Sequence, residues 1–561
     1  MSTQPNAELA AVEADTPNVS APPKGILGYF ASHPPGFWFF FWGEFAERCS
    51  YYGMRAILSL YMIDILGFSK ANAGTYVTIF IGLCYILPLL GGWIADNLFG
   101  KYWTIVGFSI PYVIGQLLVG IEDPVFVFIA LGLLAMGSGV IKPNISTLMG
   151  LTYDQQRPGD TQLRSDAFSM FYFSINVGAA LSQFAMPMLR DNFGYQRAFL
   201  FPAALMVLAL IIFAAGKRYY AVEQVGKARV IDEEERKMRW VVLLRLLGLF
   251  ALVMFFWAIF DQAATTWIFF ADTYMDCTIF GQEVSADQIQ AFNPVFILVL
   301  LPMFPILWRF LASRGINVRP TDKMVLGFIL TAVTMGIMAI AGYLAGPAEK
   351  VVRLLEKRNV VLLPLSVLPE SVQRTVKETG SLPEGDFARI FGANSVSLEP
   401  SYKTTLAPGT YKIEGGTLTV SVSEVTFTPG GEPADNAPRV TLGVIDYAPR
   451  DRVSVWWQVF AYLILTVAEI LISVTGLELA FVAAPKSMTS FVTGCWLLTV
   501  GIANMLLNIP FTQAYPYMTP GNYFTMLTLT MIVVTVAFLF VAKNFNRNDR
   551  PKPAPQANGT A

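Results

Sequence analysis

The chain has 561 residues and a formal net charge of −1, and it is 54% hydrophobic but only 14% charged. Soluble globular chains carry about 25% charged residues, so this balance points to a protein embedded in a membrane, and the near-zero net charge argues against a nucleic-acid partner. The single histidine, His33, and four cysteines without ligand spacing argue against a zinc site, a disulfide framework or a Cys-His or Ser-His nucleophile, so the chain reads as a non-enzyme. Proton chemistry would fall to carboxylates.

Residues 1–35 are rich in Ala, Pro and Asn and lack a basic-then-apolar leader pattern, which predicts a disordered cytoplasmic tail. Apolar runs follow at 36–63, 72–96, 103–121, 124–150, 165–189 and 197–216, predicting a six-helix bundle over 36–216. A charged segment, 217–239, is too short and too polar to span and reads as a cytoplasmic linker. Apolar runs resume at 240–272, 286–311 and 322–346, then at 453–482, 488–511 and 520–543, giving a second bundle over 240–346 and 453–545. The total is about twelve spans in two halves of six, an all-α membrane architecture in which two bundles rock about a central site.

Lys101, Arg157, Arg164, Lys217, Arg218, Arg309, Arg314 and Lys486 follow even-numbered spans, whereas the loops after odd-numbered spans carry Glu122, Asp123, Asp276, Glu283 and Asp287. Positive residues stay inside, so both termini, including the tail 546–561, are expected in the cytoplasm of a multi-pass inner (cell) membrane protein. Between spans nine and ten, residues 347–452 are polar and rich in Pro and Gly. Val360–Leu368, Thr410–Ile413, Thr417–Phe427 and Arg439–Tyr447 read as strands, with a turn at Glu414-Gly415-Gly416, predicting a small β-sandwich outside the membrane.

The first span contains Glu44, Glu47, Arg48, Tyr51, Tyr52 and Arg55. At 100° per residue these fall within an arc of roughly 140°, and ionisable side chains are too costly at that depth to face lipid, so the stripe marks a polar path. Asp96 and Lys101 bracket a short turn after span two and are read as a gate. Span four carries Gly137-Ser-Gly139-Val-Ile-Lys142-Pro143-Asn144. Lys142 either snorkels to the surface or points inward to pair with a carboxylate. Asn176 lies in span five, Trp257 and Asp261 in span seven, Asn293 in span eight, Glu469 and Ser473 in span ten and Trp496 in span eleven. Glu469 has no basic partner on its own helix and reads as functional. The first half supplies cations (Arg48, Arg55, Lys142) and the second supplies acids (Asp261, Glu469), so a zwitterion held between the halves would satisfy both. Tyr51, Tyr52, Tyr85, Trp257 and Trp496 would wall its pocket.

Glu44-x-x-Glu47-Arg48 followed by Tyr51-Tyr52-Gly53 resembles the signature of the proton-dependent oligopeptide transporters, a branch of the major facilitator superfamily. Phe171-Tyr172-x-x-Ile175-Asn176-x-Gly178, Phe256-Trp257-x-x-Phe260-Asp261-Gln262, Asn293-Pro294-x-Phe296 and Glu469-x-x-x-Ser473 match that family as well. The resemblance implies the major facilitator fold and proton-coupled uptake of di- and tripeptides, with protons as coupling ion, no cofactor, no metal and a monomeric carrier. It implies that Glu469, Asn176 and Asn293, with Ser473 beside them, hold the peptide's amino terminus. Arg55 and Lys142 would then face its carboxylate, with Tyr51, Tyr52 and Tyr85 lining the site. Trp257 and Trp496 would shape side-chain pockets, while Glu44, Glu47, Arg48, Lys142 and Asp261 couple protonation to the cycle. The animal members use a span-two histidine where this chain has Thr78, so coupling would rest on carboxylates. A nitrate or small-anion symporter of the same fold and a non-transporting peptide receptor are the alternatives.

Overall fold

The computed structural model describes residues 25–548 except 224–232, 317, 347, 357–358, 366–367, 369, 371, 375–395, 398–407, 414–415, 422–423, 430, 433–436, 438–440, 450–451 and 484–488. The described residues are mostly helical. The first half holds α1 (Gly25–Ser32), α2 (Pro35–Asp64), α3 (Lys70–Ile94), α4 (Lys101–Leu118), α5 (Pro124–Gln156), α6 (Thr161–Phe193) and α7 (Tyr195–Ala215). The second holds α8 (Glu233–Phe260), α9 (Thr266–Tyr274), α10 (Phe292–Leu300), α11 (Met303–Ser313) and α12 (Pro320–Leu344). After a strand-rich stretch come α13 (Trp456–Ala483), α14 (Thr489–Ala503), α15 (Ile509–Ala514) and α16 (Pro520–Asn548).

Helix starts follow local chemistry. The Asp123 carboxylate accepts from the amides of Val125 and Phe126 at the head of α5, and Asp160 accepts from Leu163 at the head of α6. Ser69 caps α3, and Pro35 and Pro124 occupy first-turn positions where no amide is needed. Among the described residues eight segments are long and apolar enough to cross a membrane, nine if the helices Ala286–Leu300 and Met303–Ser313, bent by 46°, count as one. Helices α2, α4 and α6 contain 30, 18 and 33 residues and are more polar. Their polar groups are covered by neighbours: α2 packs along α6 and α7, and α4 along α5.

Several sequence expectations are corrected at their edges. Part of the predicted tail is structured: Gly25–Ser32 is helical and His33 is 3% exposed, stacked on Phe37 at 4.8 Å, while 1–24 lie outside the described residues. An aromatic cluster explains this order in a stretch with no helical periodicity. The linker's far end is already α8 from Glu233, and 224–232 lie outside the described residues. Span seven breaks at a 3₁₀ turn, Asp261–Ala264, and spans two and eleven run into π turns at Ala95–Phe99 and Asn504–Asn508.

Between α12 and α13 lie β1 (Ala348–Glu356), β2 (Asn359–Pro364), β3 (Val396–Ser397), β4 (Gly409–Ile413), β5 (Gly416–Val420), β6 (Glu424–Pro429) and β7 (Thr441–Pro449). They form an antiparallel sheet of order β7-β1-β2 and another of order β3-β6-β5-β4. In the second sheet Tyr411, Leu418 and Phe427 are cross-strand partners and all buried, so one face is a packed core at the two-residue period of a strand. The strand expected over Thr417–Phe427 is instead two strands, β5 and β6. The one expected over Val360–Leu368 ends at Pro364, which has no amide for a ladder. Positions 414–415 of the expected turn, and 439–440 of the last expected strand, lie outside the described residues.

Candidate functional site

Helix α2 supplies the densest part of the site. Arg48 Nε lies 2.8 Å from Glu44 Oε1 and 2.5 Å from Glu47 Oε2, with all three side chains buried. One guanidinium serves both carboxylates, and Glu44 Oε2 and Glu47 Oε1 are buried without a hydrogen-bond partner among the described residues. One turn on, the Arg48 guanidinium sits 5.9 Å from the Tyr51 ring centre, and that of Arg55 sits 5.7 Å from Tyr52.

Lys142 points inward, but against aromatic rings and with no carboxylate ion pair among the described residues. Its Nζ lies 4.3 Å from the Tyr51 ring and 5.0 Å from the Tyr85 ring, pinned between α2 and α3. Small residues make that approach possible: a Cβ on Gly91 would fall 2.6 Å from Val140 Cα, and one on Gly139 would fall 2.7 Å from Leu87 Cβ. Next to it, Pro143 cannot donate to the preceding turn, and Asn144 Nδ2 donates across to Gly91 O at 3.1 Å.

The second half presents an acidic pair. Asn293 Nδ2 donates to Glu469 Oε2 at 2.8 Å and to Thr466 Oγ1 at 3.1 Å, joining α10 to α13, with Ser473 half-buried one turn further along. Asp261 heads the 3₁₀ turn and accepts from Asn504 Nδ2 at 2.6 Å. It lies within electrostatic reach of Arg55 and Lys142 from the first half, so the two clusters face one shared region.

The other expected residues make the following contacts. Asn176 Nδ2 donates to Tyr172 O within its own helix, close to where Gly178 brings α6 against α2. Trp496 is buried between Phe250 and Gly476, and Trp257 packs edge-on against Phe256 and Phe260. The Thr78 hydroxyl is buried without a partner among the described residues. The Asp96–Lys101 pair is present at 2.7 Å, and Glu223 joins it by accepting from the amides of Lys101 and Tyr102 at 2.7 and 2.9 Å.

Sequence reasoning missed the polar tie between the halves. Arg190 at the end of α6 pairs with Asp287, in the 3₁₀ helix Ala286–Ala291 before α10, and both side chains are buried. Ser285 Oγ donates to Asp191 Oδ2 at 2.6 Å, Gln290 Nε2 to Ala56 O at 3.2 Å and Ser59 Oγ to Ala264 O at 2.6 Å, all at the same end. Arg190 and Asp287 are 97 positions apart and each looks like an ordinary loop charge, so no local signal joins them. His33, expected in a tail, bonds Tyr153 OH through Nδ1 at 2.6 Å, and burial holds its imidazole below its ordinary pKa.

Comparison with known proteins gives a consistent picture. A family model described as "POT family" matches residues 102–243, 223–382 and 435–526. The chain is 30% identical to Peptide transporter family 1 of Drosophila melanogaster, with 92% of this chain and 88% of that protein covered. It is 26% identical to Solute carrier family 15 member 1 of Homo sapiens over 92% of this chain and 93% of that one. Among solved structures, a peptide transporter variant in complex with alafosfalin has a TM-score of 0.66 at 22% identity, covering 94% of this chain and 97% of that one. A POT family transporter in complex with 5-aminolevulinic acid also has a TM-score of 0.66, at 20% identity, covering 93% and 98%.

Proposed function

The chain belongs to the POT family, and from that premise we propose that it is a symporter importing di- and tripeptides with protons across the cell membrane by alternating access. The relatives are named as peptide transporters rather than enzymes, and one solved relative holds 5-aminolevulinic acid, a small molecule with an amine at one end and a carboxylate at the other. In this reading α2, α4 and α6 join the more apolar segments as spans, giving twelve in two bundles, 36–216 and 240–346 with 453–545. The segment 217–239 links them, 347–452 lies outside, both termini lie in the cytoplasm, and the carrier works as a monomer without a cofactor.

The observation that carries the proposal is the division of charge: Lys142 and Arg55 on one half, the Asn293–Glu469 pair on the other. A peptide's carboxylate goes to the cations and its ammonium to Glu469, and the molecule draws the halves together only when both ends are bound. The Arg48 pairing with Glu44 and Glu47 supplies the proton-sensitive part. Protonating either acid weakens its hold on Arg48, one turn from the tyrosines beside Lys142. In this reading Arg190–Asp287 closes the outer end and must part when the carrier faces outward. A buried acid beside the amine pocket repels a free anion, which disfavours the nitrate alternative.

Replacing Glu469 tests the assignment. Glu469→Gln removes a charge-assisted contact of about 1.5–3 kcal/mol, so half-saturation for dialanine should rise roughly ten- to a hundredfold. N-acetyl-dialanine, which has no ammonium, should change less than about threefold. Equal losses for both would remove the role given to Glu469.

A further inference from the structure

A one-way chain of buried hydrogen bonds ends on Asp261. Tyr523 OH and Thr266 Oγ1 donate to Gln262 Oε1 at 2.9 and 2.7 Å. Gln262 Nε2 then donates to Asn508 Oδ1, which also accepts from Thr512 Oγ1 at 3.2 Å. Asn508 Nδ2 donates to Asn504 Oδ1 at 2.8 Å, and Asn504 Nδ2 donates to Asp261 Oδ2 at 2.6 Å and to Val500 O at 3.0 Å. Gln262, Thr266, Asn504, Asn508, Thr512 and Tyr523 are fully buried.

The sense of this chain is fixed by chemistry. Val500 O can only accept, so the Asn504 NH₂ group must face it and Asp261; the Asn504 oxygen then takes the Asn508 NH₂, the Asn508 oxygen takes the Gln262 NH₂, and the Gln262 oxygen is left to the two hydroxyls. The last donor meets the Asp261 carboxylate, which when ionised only accepts. Aligned donors polarise one another in a dry site and strengthen that final bond. Side-chain amides do not exchange a proton through such a chain under ordinary conditions, so its effect on Asp261 is electrostatic and geometric.

Location adds a second consequence. Asn504 and Asn508 bound the π turn that follows α14, and π turns recur where a helix has been adapted for function. That turn abuts α3 of the other half: a Cβ on Gly82 would lie 3.0 Å from Met505 Cε and 3.3 Å from Asn504 Cβ. A Cβ on Gly501 would lie 3.1 Å from Gly82 O. Arg55 of α2, Tyr85 of α3, Lys142 of α5 and Glu469 of α13 are the other groups that act on Asp261.

We propose that Asn504, held in orientation by Asn508, is a positioning residue for Asp261 that ties its charge state to the α3–α14 joint between the halves. When Asp261 takes a proton, Oδ2 becomes a weaker acceptor, Asn504 is released, and the joint beside Gly82 loosens. The role in the cycle rests on the proton-coupled reading above; the control of Asp261 titration does not.

Infrared pH titration of the purified full-length protein separates the two. The carboxyl band missing from Asp261→Asn reports Asp261. In Asn504→Leu the midpoint of that band should move by about tenfold in proton concentration, and in Asn508→Ala by about threefold, because the Asn504 amide is then free to turn. The milder second variant serves if Asn504→Leu does not fold. An unmoved midpoint in the folded variants overturns the proposal whether or not the protein transports. In liposomes the pH profile of dialanine uptake should shift in Asn504→Leu and not shift further when Asn504→Leu is added to Asp261→Asn. An independent shift in the double variant would also overturn it.

Discussion

At the scale of single residues, burial changes what each side chain can do. Lys142 was ambiguous as a sequence position because a lysine near a helix end reaches water easily. The rings of Tyr51 and Tyr85 decide the matter, and both were visible in the sequence as residues without an assigned neighbour. His33 shows the reverse case: a lone histidine in a tail-like stretch is a buried group against Phe37 and Tyr153. Burial lowers its pKa below 6.5, an effect opposed by Asp166 and Asp160 and reinforced by Arg157. The unfolded chain therefore takes up this proton more readily, so the stability from packing neutral His33 is complete above about pH 6.5 and is lost as pH falls. The melting temperature in detergent should drop between about pH 7.5 and 5, and His33→Phe should flatten that drop. An identical slope in the variant would show that His33 is not the group responsible.

At the scale of elements, apolar runs gave most helix positions to within a few residues, because a bilayer-length apolar segment has few alternatives. The breaks were not legible. The 3₁₀ turn at Asp261–Ala264 and the π turn at Asn504–Asn508 satisfy side-chain bonds to residues about 240 positions away, for which neighbouring sequence holds no signal. Strand edges between 347 and 452 were partly readable: alternation located β4, but β5 and β6 read as one strand. Gly501, which belongs to no motif in the sequence, sets the spacing of α14 and α3. Its Cβ would fall 2.6 Å from Ile86 Cγ1. Gly501→Val should cost about 1–3 kcal/mol, seen as a lower melting temperature. It should also slow uptake severalfold by wedging the joint. Unchanged stability and uptake would mean that α14 moves aside at no cost.

At the scale of the whole molecule, the two halves meet through a sealed end and a charged middle. The charged middle was largely legible, since Glu44, Glu47, Arg48, Lys142, Asp261 and Glu469 are acids and bases inside apolar runs, where a charge rarely persists without a role. The seal was not, because Arg190 and Asp287 each resemble a loop charge until the fold places them together. On the proposed alternating-access reading, this ion pair is the contact that must break for the outer end to open. One inward proton at about 100 mV supplies about 2.3 kcal/mol, enough for roughly fiftyfold accumulation of a neutral peptide. The most direct measurement is dialanine uptake by purified protein in liposomes under an acid-outside gradient. Uptake should exceed that of protein-free vesicles, reach concentrations above the external one and collapse when a protonophore removes the gradient. Equal uptake with and without protein would contradict transport, and protein-dependent uptake unaffected by the protonophore would contradict proton coupling.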